Sequence, residues 1–185
     1  MLPTIAVIGA GTMGGAIIQG LLREELTEPQ RIIASDPWEE RAAELERTLE
    51  IGVTANNLAA SEKAEIVLLS VKPQVIGKVM RELKGHLDPE TLVFSIAAGV
   101  KIEKLREGLE AQSIVRAMPN TPGQIGQGIT VWTTTEAVSK AQREHALTIL
   151  KALGEEVFVE DESYLDMATA LSGTGPAYVY LFMEA

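Results

Sequence analysis

The run Thr4-Ile5-Ala6-Val7-Ile8 followed by Gly9-Ala10-Gly11-Thr12-Met13-Gly14 constrains this chain more than any other segment. An unbroken apolar run of this length reads as a strand buried on both faces, the signature of a parallel sheet. The glycines behind it have G-x-G-x-x-G spacing, and Met13, Ile17, Ile18, Leu21 and Leu22 then recur at helical period. In that setting the glycines permit a tight turn, let a backbone approach a pyrophosphate, and allow close helix–strand packing. The helix start adds free N–H groups and the positive end of a dipole. Gly9, Ala10, Gly11, Thr12, Met13 and Gly14 therefore read as a dinucleotide site, against the plainer reading of a glycine turn.

The same alternation continues along the chain. Arg31–Ser35, Ile66–Leu69, Leu92–Ile96, Ser113–Ala117, Gly128–Trp132 and Glu155–Val159 read as strands. Between them lie helical patterns. Trp38, Ala42, Leu45 and Leu49 form one face; Val75, Ile76, Val79, Met80 and Leu83 form another. Ile102–Leu109 is a short helix stopped near Gly108, and Ala146, Ile149, Leu150 and Leu153 mark a further one. The expected fold is α/β: a doubly wound, mostly parallel Rossmann-type sheet over residues 1–160. Residues 161–185 read as the start of an all-α C-terminal domain. There Glu162–Leu171 is helical, Ser172-Gly173-Thr174-Gly175-Pro176 breaks it, and Pro176 opens a new helix with Thr174 or Gly175 near its cap. That last helix is apolar nearly all round, so it calls for another subunit or for more chain to cover it.

Composition narrows the function classes. There is no cysteine, so disulfides and thiolate metal sites are excluded, and no metal-ligand cluster is visible. A net charge of −10 argues against a nucleic-acid or anionic-membrane binder, though not against one small anionic ligand held by backbone amides. No targeting segment or run of the roughly 20 apolar residues needed to span a bilayer is legible, so the expected location is cytoplasmic. His86 and His145 stand isolated and read as surface residues, while Asp161-Glu162 and Glu39-Glu40 read as solvated helix starts.

Asp36 closes the second strand, 22 residues after Gly14. An acidic residue there accepts hydrogen bonds from an adenosine ribose 2′-OH and repels a 2′-phosphate; the plainer alternative is an N-cap for a helix starting at Pro37. The ribose role favours NADH, whereas nearby Arg41 could accommodate the phosphate of NADPH. Three more segments end consecutive strands: Ser70-Val71-Lys72-Pro73, Ser95-Ile96-Ala97-Ala98-Gly99 and Met118-Pro119-Asn120-Thr121-Pro122. Ligands of open α/β sheets lie outside the carboxyl ends of the strands, so these loops fall where a nicotinamide ring would lie.

Together with Ala170-Leu171-Ser172-Gly173-Thr174-Gly175-Pro176-Ala177-Tyr178, these segments resemble pyrroline-5-carboxylate reductase along the entire chain. The resemblance implies reduction of 1-pyrroline-5-carboxylate to L-proline with NADPH or NADH. It places Ile8 to Met13 on the pyrophosphate, Asp36 beside the adenosine ribose, Asn57 at the adenosine end, and Ser70, Val71, Lys72, Pro73, Ile96, Ala97 and Ala98 on the nicotinamide side. Each has a plainer alternative: Asn57 as an N-cap, Lys72 as a solvated strand-end lysine, and Ala97 and Ala98 as small for packing only. Asn120 faces the substrate or satisfies loop backbone. Lys72 is the one nearby catalytic candidate, because the helical dimerisation domain that completes the family's substrate site is only begun here. The intact protein is then expected to be a homo-oligomer through its C-terminal helices. Alternatives are a cofactor-binding fragment without turnover, or another Rossmann reductase of β-hydroxyacid dehydrogenase or deazaflavin-dependent NADP reductase type.

Overall fold

The computed structural model describes residues 1–185. Eight strands form one sheet: β1 (Ile5–Ile8), β2 (Ile32–Ser35), β3 (Gly52–Thr54), β4 (Ile66–Leu69), β5 (Leu92–Ser95), β6 (Ile114–Met118), β7 (Gly128–Thr134) and β8 (Gly154–Phe158). Their order across the sheet is β3-β2-β1-β4-β5-β6-β7-β8. The first six are parallel, and the order in which strands are added reverses between β1 and β4, which opens a crevice at their carboxyl ends. β7 runs antiparallel to β6. The reason is length: a parallel return needs a crossover of a dozen or more residues, and only a short turn, Thr121–Ile125, lies between these strands.

Helices α1 (Thr12–Arg23), α2 (Glu39–Leu49), α3 (Asn57–Ser61), α4 (Pro73–Leu83), α5 (Ile102–Leu109) and α6 (Lys140–Lys151) cover the sheet. Strand periodicity divides the core in two. Ile5, Val7, Ile66, Leu68, Leu92 and Phe94 pack with Ile17, Leu21, Leu45 and Ile149 on one face. Ala6, Ile8, Val67, Leu69 and Val93 pack with Ile76, Val79, Leu83 and Leu105 on the other. Each large aliphatic side chain removed from water in this way contributes about 1.5–3 kcal/mol. The apolar runs read as strands buried on both sides are therefore buried on both sides.

Several local expectations are corrected. Trp38 does not join the buried face of α2 but precedes the helix and is 64% exposed. The Asp36 carboxylate accepts its N–H at 3.0 Å, and its backbone stays extended. Val75 likewise lies exposed at the rim of a cleft. Gly108 does not stop α5: the helix passes through it and ends at Leu109, with Glu110 in the left-handed region. Its role is contact, since a Cβ there would stand 2.6 Å from Met80 Sδ and force that side chain to move. Strand β3 is too short and too exposed to leave a period in the sequence.

The C-terminal segment has two parts. Helix α7 (Ser163–Ala168) lays the buried Leu165 on the sheet and continues as a wide π turn, Thr169–Gly173. Hydroxyls hold that turn: Thr169 donates to the Leu165 carbonyl, Ser172 to Ala168 and Thr174 to Thr169. Thr174 stands at the N-cap position of α8 (Gly175–Glu184), as expected, but its hydroxyl turns back and makes no cap bond; the helix has Pro176 in its first turn and no buried residue. No helix is long and apolar enough to cross a membrane.

Candidate dinucleotide-binding site

The glycine loop joins β1 to α1 at the centre of the crevice. Gly9 has φ +89°, a conformation an L side chain rarely adopts, and a Cβ there would meet Val71 Cγ1 at 2.7 Å. A Cβ on Gly14 would run into the Gly9 carbonyl oxygen, so α1 can approach β1 this closely only with glycine. Gly11 differs: a Cβ there meets nothing within 4 Å. Packing within the chain does not call for glycine at that position, whereas a ligand resting on the backbone would. As at any helix start, the first N–H groups of α1 lack intrahelical acceptors, and here they front the same open space.

A second observation fits a ligand at this loop. Ser70, just past β4, has a buried hydroxyl with no hydrogen-bond partner, and a Cβ on Gly14 would lie 3.0 Å from that oxygen. An orphaned buried hydroxyl is uncommon, because desolvating it without a partner costs about 1–3 kcal/mol. The Thr27 and Thr130 hydroxyls are buried without a partner too, and of the three Ser70 is the one beside the glycine loop.

Asp36 spans the loop and the entry to α2. One carboxylate oxygen accepts the Ala10 N–H at 3.0 Å and the other accepts the Trp38 N–H at 3.0 Å. Helix α2 begins at Glu39 rather than Pro37, so Asp36 is not its N-cap. Each oxygen keeps a further lone pair for a ribose hydroxyl. Beside it, Arg41 donates through Nε to the Ala10 carbonyl at 3.2 Å and pairs with Glu44 at 2.7 Å. Asp36, Trp38, Glu40, Arg41, Glu44 and the start of α1 line a cleft of about 710 Å³.

Asn57 is not a cap either. Asn56 caps α3, accepting from the Leu58 and Ala59 N–H groups. The Asn57 carbonyl accepts from the buried Ser35 hydroxyl at 2.7 Å, and its amide donates to Glu82 at 2.6 Å. These residues border a smaller cleft of about 190 Å³ with Gly9, Val71 and Val75. Further along, Lys72 stands exposed at the N-cap position of α4, Pro73 is the first residue of that helix, and Lys72 makes no ion pair. Ile96 and Ala98 are half-buried and Ala97 is buried; the Ala97 N–H donates to Ser95 at 3.3 Å. The Asn120 carbonyl accepts the Ile129 N–H at 2.9 Å, bracing the loop after β6 against β7. The π turn reaches the same region, for a Cβ on Gly173 would lie 3.0 Å from the Met118 methyl.

One charged cluster escaped sequence reading. Arg116, in the middle of β6, is 2% exposed and donates to Glu162 at 2.7 Å and to Asp166 at 3.0 Å. Glu162 also accepts the Ile102 N–H at the start of α5, so it is an ion-pair partner and not a solvated helix start. The signal available was a lone arginine inside an apolar strand, with two carboxylates at i, i+4 on a later helix. Asp161 does face solvent, where the Ser163 backbone N–H and then its hydroxyl hold its carboxyl below the ordinary range. His86 lies exposed in the turn after α4, and His145 is half-buried on α6.

Strand order, glycine loop and strand-end loops define a Rossmann-type dinucleotide-binding protein. Residues 4–99, spanning β1 to β5, match the family model described as NADP oxidoreductase, coenzyme F420-dependent. The match to pyrroline-5-carboxylate reductases runs further. The chain is 41% identical to that of Pseudomonas aeruginosa over 184 residues, covering 99% of this chain and 67% of the relative. The solved pyrroline-5-carboxylate reductase of Coxiella burnetii superposes with a TM-score of 0.92 at 35% identity, covering 98% of this chain and 68% of that one. The Plasmodium falciparum structure, with NADP bound, has a TM-score of 0.85 at 28% identity, covering 98% and 66%. This chain belongs to the pyrroline-5-carboxylate reductase family, and it spans about two thirds of the length of the relatives it matches.

Proposed function

We propose that the chain carries the cofactor-binding part of an enzyme that reduces 1-pyrroline-5-carboxylate to L-proline with NADH or NADPH. The observation that carries this reading is Gly11, a glycine with open space in front of its Cα, in a loop where Gly9 and Gly14 are fixed by packing. In this reading Ile8 to Gly14 hold the pyrophosphate on backbone N–H groups, Asp36 receives the adenosine ribose, and Asn57 borders the adenosine end. Val71, Lys72 and Pro73 flank one side of the nicotinamide, while Ile96, Ala97 and Ala98 offer a low surface for a flat ring. The bound dinucleotide supplies a hydride from nicotinamide C4 to the C5 carbon of the imine. The protein's contribution is to hold the two reactants in register and keep water out.

Residues 161–185 in this reading begin a helical domain that pairs subunits. Lys72, three residues past the end of β4 and unpaired, is the candidate for steadying the substrate; Asn120, whose side-chain oxygen is taken up by the Ile129 N–H, has its amide nitrogen left for that side. Imine-dependent oxidation of NADH or NADPH by the chain tests the assignment. Turnover supports it. In a second reading the dinucleotide binds without turnover, and a titration showing binding but no oxidation would select it.

A further inference from the structure

We infer that Glu44 sets the dinucleotide preference of this chain, by holding Arg41 away from a ribose 2′-phosphate and so favouring NADH. This rests on the proposed dinucleotide site and adds to it a residue that touches neither ring nor pyrophosphate. An adenosine ribose received by Asp36 would present its 2′ substituent to the cleft between α1 and α2. The charged side chains lining that cleft are Asp36, Glu40, Arg41 and Glu44, three carboxylates against one cation. A phosphate monoester carries roughly −1.5 to −2 charge near pH 7 and needs a free cation there.

Arg41 is not free. Its Nε donates to the Ala10 carbonyl at 3.2 Å, one terminal nitrogen pairs with Glu44 at 2.7 Å, and the other lies over Gly15, 2.7 Å from where a Cβ would stand. The missing side chain at Gly15 is what lets the guanidinium lie flat against α1. Glu44, one turn further along α2, meets it from the solvent side, and the pair consumes the single positive charge of the cleft. A 2′-hydroxyl finds an acceptor in Asp36, whereas a 2′-phosphate meets net negative charge.

Exposed pairs of this kind are weak, so the expected effect is moderate. Titration of the full chain with NADH and with NADPH should show NADH bound at least tenfold more tightly. Glu44→Gln should narrow that ratio about three- to tenfold, and the double variant Glu44→Gln/Arg41→Gln should lose the gain. Added salt should also narrow the wild-type ratio, because the discrimination is electrostatic. Glu44 is largely exposed on a helix surface, so thermal melts should leave the variants folded. NADPH bound as tightly as NADH by the wild type, or a Glu44→Gln ratio that does not move, overturns the inference while leaving the dinucleotide site standing. Binding of neither cofactor overturns the site itself and this inference with it.

Discussion

Gly11 and Gly14 sit in the same loop but answer to different forces, and two substitutions separate them. At Gly14 a methyl group collides with the Gly9 carbonyl, so Gly14→Ala must move backbone and should destabilise by about 1–3 kcal/mol. At Gly11 the methyl enters open space at φ −65°, so Gly11→Ala should melt within a degree or two of the parent, roughly the scale of a surface change. On the proposed site it should nonetheless weaken dinucleotide binding tenfold or more, because the methyl would stand where the pyrophosphate is proposed to approach. Thermal melts paired with cofactor titrations read both effects. Arg116 poses a different test. Removing one partner of a buried pair costs about 3–5 kcal/mol, and the low end applies here because Asp166 is 55% exposed and can turn to water. Arg116→Ala should therefore lose about 3 kcal/mol in urea unfolding, and Asp166→Asn less than about 1. The glycines were legible in the sequence because their meaning is local. The arginine's partners lie 46 and 50 residues away, and only the fold brings them together.

At the scale of elements, patterns with a strong period were legible and short ones were not. Strands β1 and β4 are apolar without interruption, α6 keeps its buried face in register with the sequence, and α4 does so apart from Val75. Strand β3, with three residues and no buried one, left no such trace. Helix boundaries were set by side-chain hydrogen bonds that spacing alone does not reveal. Asp36 delays α2 by taking the Trp38 N–H, and Asn56 rather than Asn57 caps α3. Helix α6 shows the opposite case, a reciprocal capping box between Ser139 and Gln142. Ser139→Ala should cost about 1 kcal/mol, checked by chemical denaturation. At the entry to α7, Asp161 has its folded pKa depressed, so its contribution is present above the ordinary carboxylate range and fades as the pH falls through the lowered value. Asp161→Asn should lower stability slightly at neutral pH, where the carboxylate's contribution is present, and change little in acid, so that part of the stability profile flattens in urea unfolding across pH.

Across the whole molecule, the sheet and its two packed faces are complete, whereas α8 is not covered. Tyr178, Val179, Tyr180, Leu181, Phe182 and Met183 are all more than half exposed, a contiguous apolar surface of the kind that marks an interaction site. The chain should therefore self-associate at micromolar concentrations, seen by light scattering, and Leu181→Asp/Phe182→Asp should reduce it without shifting the melt. The sequence announced this helix correctly, since an element apolar on every side needs cover from somewhere. The proposed dinucleotide site on the loop between β1 and α1 is tested most directly by a crystal structure of the chain with NADH. The pyrophosphate should lie on the backbone of Gly11 to Met13, the ribose against Asp36, and the nicotinamide toward Lys72 and Ala97. A dinucleotide bound elsewhere, or none at saturating concentration, would contradict the account.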